Sequence, residues 1–140
     1  MSLTRQQQET LRAAVDRIIP PDDYPGAWLA GVGDYLARQF EGDLRPLLDT
    51  YCAGLTALEA ESVARFQQSF TLLSADEQDI VLRHIEGGEL LTTWDVGPGL
   101  FFKLLVDTTA EGFYSDPQQG GNRNAVSWAM TGFEEGLATD

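Results

Sequence analysis

The stretch from Gly112 to Phe133 holds the side chains of this sequence that are best suited to recognising another molecule. Arg123 supplies a planar guanidinium that can pair bidentately with a carboxylate. Pro117 fixes its own φ, and Gly120 and Gly121 accept positive φ without steric cost, so the backbone around Arg123 is shaped by its sequence. We predict a partner-binding surface built from Phe113, Tyr114, Asp116, Pro117, Gly120, Gly121, Asn122, Arg123, Asn124 and Trp128. The alternative is a helix end followed by an ordinary polar loop.

Catalytic and cofactor chemistry has little support elsewhere in the chain. His84 is the sole histidine, and a lone histidine favours a structural or surface role over a zinc site or a triad. Cys52 is the sole cysteine, which excludes an intramolecular disulfide and predicts a small buried hydrophobe. Gly31 and Gly33 begin a dinucleotide fingerprint, but no strand precedes them and Leu36 stands where the third glycine belongs. We therefore predict no catalytic residue, bound cofactor or metal in this chain.

Length and charge limit the kind of partner. The 140 residues suffice for one domain, spanning 1–140, and no apolar run approaches the roughly 20 residues that span a bilayer, so we expect no membrane insertion. The formal net charge is −13. Nucleic acid is disfavoured because its phosphates would meet a strongly acidic surface. The expected partner is neutral, basic or another protein.

The apolar spacing predicts an all-α fold: a single compact domain of about five to six helices with an ordered C-terminal loop. Thr4 with Gln7, and Ser74 with Glu77, form capping boxes that start the first and the fifth helix. The predicted helices cover about 4–19, 28–42, 44–58, a shorter segment 61–67, 74–87 and 100–113, with Leu104 in the core and residues 87–99 as a loop.

Several motifs together resemble those of the gluconate 2-dehydrogenase subunit 3 family. They are Glu111-Gly112-Phe113-Tyr114-Ser115-Asp116-Pro117, then Gly120-Gly121-Asn122-Arg123 and Trp128, with Arg17-Ile18-Ile19-Pro20, Pro25-Gly26-Ala27, Ala30-Gly31-Val32 and Gly54-Leu55 before them in the same order as in the family. The resemblance covers nearly the whole chain. It departs at Thr108, where such proteins often carry a histidine.

The resemblance implies a non-catalytic small subunit that binds, stabilises or matures a large FAD-dependent dehydrogenase of the glucose-methanol-choline type. The large subunit would hold the FAD and oxidise a sugar, glycoside or polyol, sometimes with a cytochrome c subunit as electron acceptor. Two alternatives remain: a free-standing small enzyme using the 114–124 loop, and a general chaperone-like adaptor.

Proteins of this kind frequently carry a twin-arginine leader, and none is visible before the first helix. The expectation is a cytoplasmic location for the chain as written, and a periplasmic one if a leader was removed or the complex is exported.

Overall fold

The computed structural model describes residues 3–20, 26, 28 and 30–114. It contains α1 (Arg5–Ile18), α2 (Val32–Phe40), α3 (Leu48–Phe66), α4 (Ala75–Glu86) and α5 (Pro98–Tyr114), with short 3-10 helices at Arg45–Leu47 and Phe70–Leu72. These described residues form no strand, and the predicted all-α class is confirmed. The predicted C-terminal loop lies outside them.

Both predicted capping boxes are present. The Thr4 hydroxyl accepts from the Gln7 backbone N–H at 3.1 Å, and the Gln7 side chain accepts from the Thr4 N–H at 2.9 Å. Ser74 and Glu77 repeat this arrangement at 3.2 and 3.0 Å. Each box satisfies two backbone donors that a helix start leaves without partners, which fixes where α1 and α4 begin.

Two predicted helix boundaries were wrong. The second helix begins at Val32 rather than near Trp28, because Gly31 between them has a left-handed φ of 98°, which a right-handed helix cannot include. The separate segments at 44–58 and 61–67 are replaced by one helix, α3, which runs without a break from Leu48 to Phe66.

The central element is α5, which contacts each of the other four α-helices. Its inward face includes Phe101, Leu105, Thr108 and Gly112, all buried and spaced four, three and four residues apart. The prediction that Leu104 belongs to the core needs correction, because Leu104 is only partly buried whereas Leu105 is fully buried. Adjacent residues lie about 100° apart around a helix, and here Leu105 faces the core while Leu104 lies towards its edge.

Two glycines of the family-like motifs allow helices to approach closely. A Cβ atom on Gly54 of α3 would lie 2.0 Å from the Phe101 ring, and one on Gly112 would lie 2.9 Å from the Tyr35 ring of α2. Both distances are far inside van der Waals contact. These positions therefore set how closely α5 packs against α3 and α2.

The arginine of the Arg17-Ile18-Ile19-Pro20 motif joins α1 to α4. Arg17 Nε and Nη2 donate to the two carboxylate oxygens of Asp79 at 2.9 and 3.1 Å. The hydrogen bond from Arg17 lowers the pKa of Asp79 and raises that of Arg17. The bidentate geometry fixes the relative orientation of the two helices.

Candidate interaction surface

A charged side chain, Glu61, lies inside the hydrophobic core on α3. Tyr51, Leu55 and Leu58 form the buried stripe of this helix, and Glu61 continues that stripe one turn further. Its side chain is 0% exposed. Because an ionised carboxylate without partners is very costly to bury, its hydrogen bonds decide what it does.

The Glu61 carboxylate accepts hydrogen bonds from the α4–α5 loop, which we define as residues 87–97. The Leu91 N–H donates to Oε1 at 3.0 Å and the Thr92 N–H to Oε2 at 2.8 Å. The Thr92 hydroxyl and, at 3.2 Å, the Trp94 indole N–H also donate to Oε2. Two backbone and two side-chain donors thus hold the loop onto α3.

Arg65, one turn further along α3, balances the buried charge. Its Nη2 lies 3.3 Å from Glu61 Oε1 and also donates to the Glu89 carbonyl at the beginning of the α4–α5 loop. The Arg65 side chain is only 12% exposed, so the pair is largely removed from water. An ion pair in this position requires further hydrogen bonds to offset its desolvation, and the loop supplies them.

These contacts keep Glu61 ionised. Burial acts to raise the pKa of Glu61, but hydrogen bonds from Thr92, Leu91 and Trp94 outweigh it and hold the pKa below its ordinary value of 4.5. Donors that bind the charged form favour that form. At neutral pH Glu61 is therefore a fixed anion that organises the loop.

The anchored loop and the first turn of α5 each expose a leucine to solvent. Leu91, whose N–H is bound by Glu61, is 62% exposed, and Leu100 in the first turn of α5 is 65% exposed. Glu86, Glu89 and Asp95 are exposed in the same stretch, and the sequence has no lysine or arginine between Arg83 and Lys103.

Of the predicted partner-binding residues, two are described. Phe113 is 1% exposed and lies in the core, whereas Tyr114 is 54% exposed, with its ring perpendicular to that of Phe113 at 5.1 Å. Only Tyr114 of this pair has a ring that a partner can reach. The others, Asp116, Pro117, Gly120, Gly121, Asn122, Arg123, Asn124 and Trp128, lie outside the described residues, and their role stays a prediction.

The position where the family often has histidine lies in the core. Thr108 donates to the Leu104 carbonyl at 2.7 Å, so its oxygen is the acceptor in the short contact with the Tyr51 hydroxyl. Burial raises the pKa of Tyr51 far above its ordinary range, with Glu111 adding to the effect and the Thr108 contact opposing it. This chain of two hydrogen bonds joins α3 to α5.

The single histidine and the single cysteine of the sequence lie on α4 and α3. His84 is partly exposed, with Nδ1 4.0 Å from Glu89 Oε1. Cys52 is partly buried, and burial raises the pKa of its thiol. In the part of the chain that the structure describes, no three histidine, cysteine or acidic side chains are placed to hold a metal ion, and no helix is long and apolar enough to cross a membrane.

Sequence reasoning overlooked Glu61, although a signal was present. Tyr51, Leu58 and Glu61 share one helical stripe, so a charged residue occupies a core position. Such a residue is almost never fully buried unless it is paired. The donor-rich run Thr92-Thr93-Trp94 was the available partner, but nothing in the sequence says that two segments 30 residues apart meet.

The fold and this site define an all-helical protein whose buried polar groups hold its own loops and helices. The family model described as gluconate 2-dehydrogenase subunit 3 matches residues 5–136. The chain belongs to the gluconate 2-dehydrogenase subunit 3 family, which is named as a subunit of a dehydrogenase complex. No match was found among curated proteins or among solved structures.

Proposed function

We propose that this chain is a non-catalytic accessory subunit that binds a large FAD-dependent dehydrogenase of the glucose-methanol-choline type and stabilises or matures it. The observation that carries the proposal is the family match over residues 5–136. The partner holds the FAD and oxidises a sugar, glycoside or polyol, in some complexes together with a cytochrome c subunit. The complex works in the periplasm if it is exported and in the cytoplasm otherwise.

The arrangement of buried polar side chains supports a binding role. The Glu61 carboxylate accepts from the α4–α5 loop, and the Tyr51 hydroxyl contacts Thr108. Both groups hold elements of the fold together, as expected for a protein that presents a shaped surface. Rigid surfaces favour association because less conformational entropy is lost on binding.

Co-purification from the native host tests the proposal. An affinity-tagged chain should retain one flavoprotein at a one-to-one ratio, detected by flavin absorbance and by quantifying both bands, with the tag alone as control. Several unrelated proteins in place of one flavoprotein would support the chaperone-like adaptor. Recovery of the chain alone would contradict the subunit role and favour a free-standing enzyme.

The cofactor assignment has a separate test. The isolated chain should be colourless, and incubation with FAD, haem or zinc should give no stoichiometric binding after gel filtration. A flavin that stays with the isolated chain would show that this chain itself binds FAD, which contradicts the assignment of the cofactor to the partner subunit.

A further inference from the structure

We propose that proton uptake by Glu61 releases the α4–α5 loop from α3 as one unit while the helices stay folded, so that the loop acts as a latch that opens in acid. This behaviour belongs to the isolated chain and needs no partner subunit.

The backbone of the loop depends on Glu61 because it has few hydrogen bonds of its own. In the described chain, the backbone of residues 90–96 makes no hydrogen bond to another backbone group. The backbone N–H groups in this segment that donate to the protein are those of Leu91 and Thr92, and both donate to the Glu61 carboxylate. A segment with so few backbone hydrogen bonds opens at a lower free energy than the helices around it.

Arg65 extends the hold of Glu61 to the beginning of the loop. Its Nη2 lies 3.3 Å from Glu61 Oε1 and donates to the Glu89 carbonyl, and only 12% of its side chain is exposed. When Glu61 takes up a proton, Arg65 keeps its own charge but loses its counterion in a site largely closed to water. A buried charge without a partner is strongly destabilising, so Arg65 should turn toward solvent and leave the Glu89 carbonyl. One proton therefore weakens the anchors at positions 89, 91 and 92 together.

Trp94 joins the loop both to Glu61 and to the core. Its indole N–H donates to Glu61 Oε2 at 3.2 Å, and its ring centre lies 6.1 Å from that of Phe101. Leu90, Trp94 and Val96 are only partly buried against the core, so their apolar contacts stabilise the closed loop less than fully buried side chains would. Release of the loop would expose the Trp94 and Phe101 rings to solvent.

The charged groups near this anchor come from three elements. Arg65 lies on α3 beside Glu61, Glu89 lies in the loop, and His84 on α4 has its Nδ1 4.0 Å from Glu89 Oε1. A protonated His84 would attract Glu89 and strengthen the hold on the loop, so it opposes release. The hydrogen bonds that keep the pKa of Glu61 below 4.5 come from the loop itself, so proton uptake and loss of the loop contacts are linked.

Hydrogen exchange followed by NMR measures the loop and the helices separately. The loop is reported by the amides of Leu91 and Thr92 and by the indole N–H of Trp94. The helices are reported by the amides of Val15 in α1 and Leu105 in α5, both fully buried. Exchange is expressed as a protection factor at each pH, from pH 7 to below 4.5, which removes the pH dependence of the exchange chemistry itself.

Protection of the two loop amides should fall about 10-fold or more as the pH drops below 4.5, because hydrogen bonds to a charged acceptor are lost. The Trp94 indole signal should shift over the same range, and the two helix amides should keep their protection. Loop protection that is constant at every pH at which the helices stay folded would overturn the latch. Simultaneous loss at the loop and helix amides would also overturn it, because the whole domain would then be unfolding.

The second experiment imitates the protonated state at pH 7. Glu61→Gln removes the charge while Asp79, which has a lowered pKa in its ion pair with Arg17, stays ionised. Its loop amides should be weakly protected at pH 7 and should show no further fall in acid. The matched control is Glu59→Gln on the same helix, whose carboxylate accepts from the Phe70 N–H at 3.2 Å. This control should behave as the wild type does.

Two results with the variants would refute the proposal. If Glu61→Gln keeps wild-type protection of the loop, or loses protection in the helices as well, the charge of Glu61 does not hold the loop as a separate unit. His84→Gln tests the neighbouring titratable group and should retain the acid response of the wild type. A response that disappears in His84→Gln would assign the acid response to His84 and not to Glu61.

Discussion

The two ends of α5 are held in place by different forces. At the entry to the helix, the α4–α5 loop is bound by a buried carboxylate, and its position depends on directional hydrogen bonds to Glu61. At the C-terminal end of the helix, Phe113 is buried in the core and Gly112 lies against the Tyr35 ring, so the position of this end depends on how these side chains fit together. Charge-based anchoring is sensitive to pH and to small chemical changes, whereas apolar packing responds mainly to volume. The contrast predicts different responses to substitution at the two ends.

The largest effect is expected at the apolar end. Phe113→Ala should lower the free energy of unfolding by about 3–5 kcal/mol, because it removes a buried aromatic ring and leaves a cavity. Tyr114→Ala is the control, since Tyr114 is 54% exposed and should change stability by less than about 0.5 kcal/mol. Urea unfolding followed by circular dichroism measures both. Equal losses for the two variants would mean that Phe113 does not lie in the core.

The polar end should show a smaller effect that depends on pH. Glu61→Gln should cost about 1–3 kcal/mol at pH 7, because donors that bind a carboxylate would face an amide. The pKa of Glu61 in the folded protein lies below 4.5, so its stabilisation is complete above pH 4.5 and is lost as pH falls through the folded pKa.

The difference in the free energy of unfolding between wild type and Glu61→Gln should therefore become smaller in acid. The corresponding difference for Phe113→Ala should stay constant. Asp79 also has a lowered pKa, but it is present in both proteins and cancels from the difference. Urea melts at pH 7 and in steps below pH 4.5 give both curves. A gap for Glu61→Gln that is the same at every pH would show that Glu61 contributes through its shape and not its charge.

The contact between Gly112 and the Tyr35 ring can be tested because it should decide whether Gly112→Ala lowers or raises stability. Alanine has the higher helix propensity, by about 1 kcal/mol, but the added Cβ would meet the Tyr35 ring at 2.9 Å. We expect the clash, about 1–3 kcal/mol, to outweigh that gain in the wild-type background. In a Tyr35→Ala background the same Gly112→Ala change should become stabilising. A double-mutant cycle by thermal and urea melts measures the coupling, and additive effects would argue against the contact.

The smallest effect is expected away from both ends, at the start of α4. Ser74→Ala removes the side-chain acceptor for the Glu77 N–H and should cost about 1 kcal/mol. The Tm of Ser74→Thr should stay near that of the wild type, because threonine retains the hydroxyl. If Ser74→Ala lowered the free energy of unfolding more than Phe113→Ala does, the expectation that core packing contributes more to stability than helix capping would be wrong.

The parts of the fold that were predicted correctly depend on local signals. A capping box such as Ser74 with Glu77 is complete within four residues, and α1 shows a clear apolar period. The α3 helix was divided because polar residues, Glu59 and Glu61, interrupt its apolar stripe, and only the distant loop explains why Glu61 is there. Leu104 and Leu105 both fit an apolar period, and only the packing of α5 shows that Leu105 is fully buried while Leu104 is partly buried.

The candidate site was predicted less well for the same reason. Its anchor joins Glu61 to Leu91 and Thr92, and a contact across 30 residues leaves no periodicity to read. The surface predicted around Arg123 was drawn from residue types and stays a prediction, with Tyr114 its exposed member among the described residues.

The main-chain hydrogen bonds at Leu91 and Thr92 make the form of the loop independent of the side chain that it exposes at position 91. Glu61 binds the N–H groups of these residues, and every amino acid except proline supplies one. The side chain at position 91 is therefore not needed for the loop to keep its form. A substitution at position 91 by any residue except proline can therefore change the surface that the loop exposes while the hydrogen bonds that hold the loop to α3 are kept.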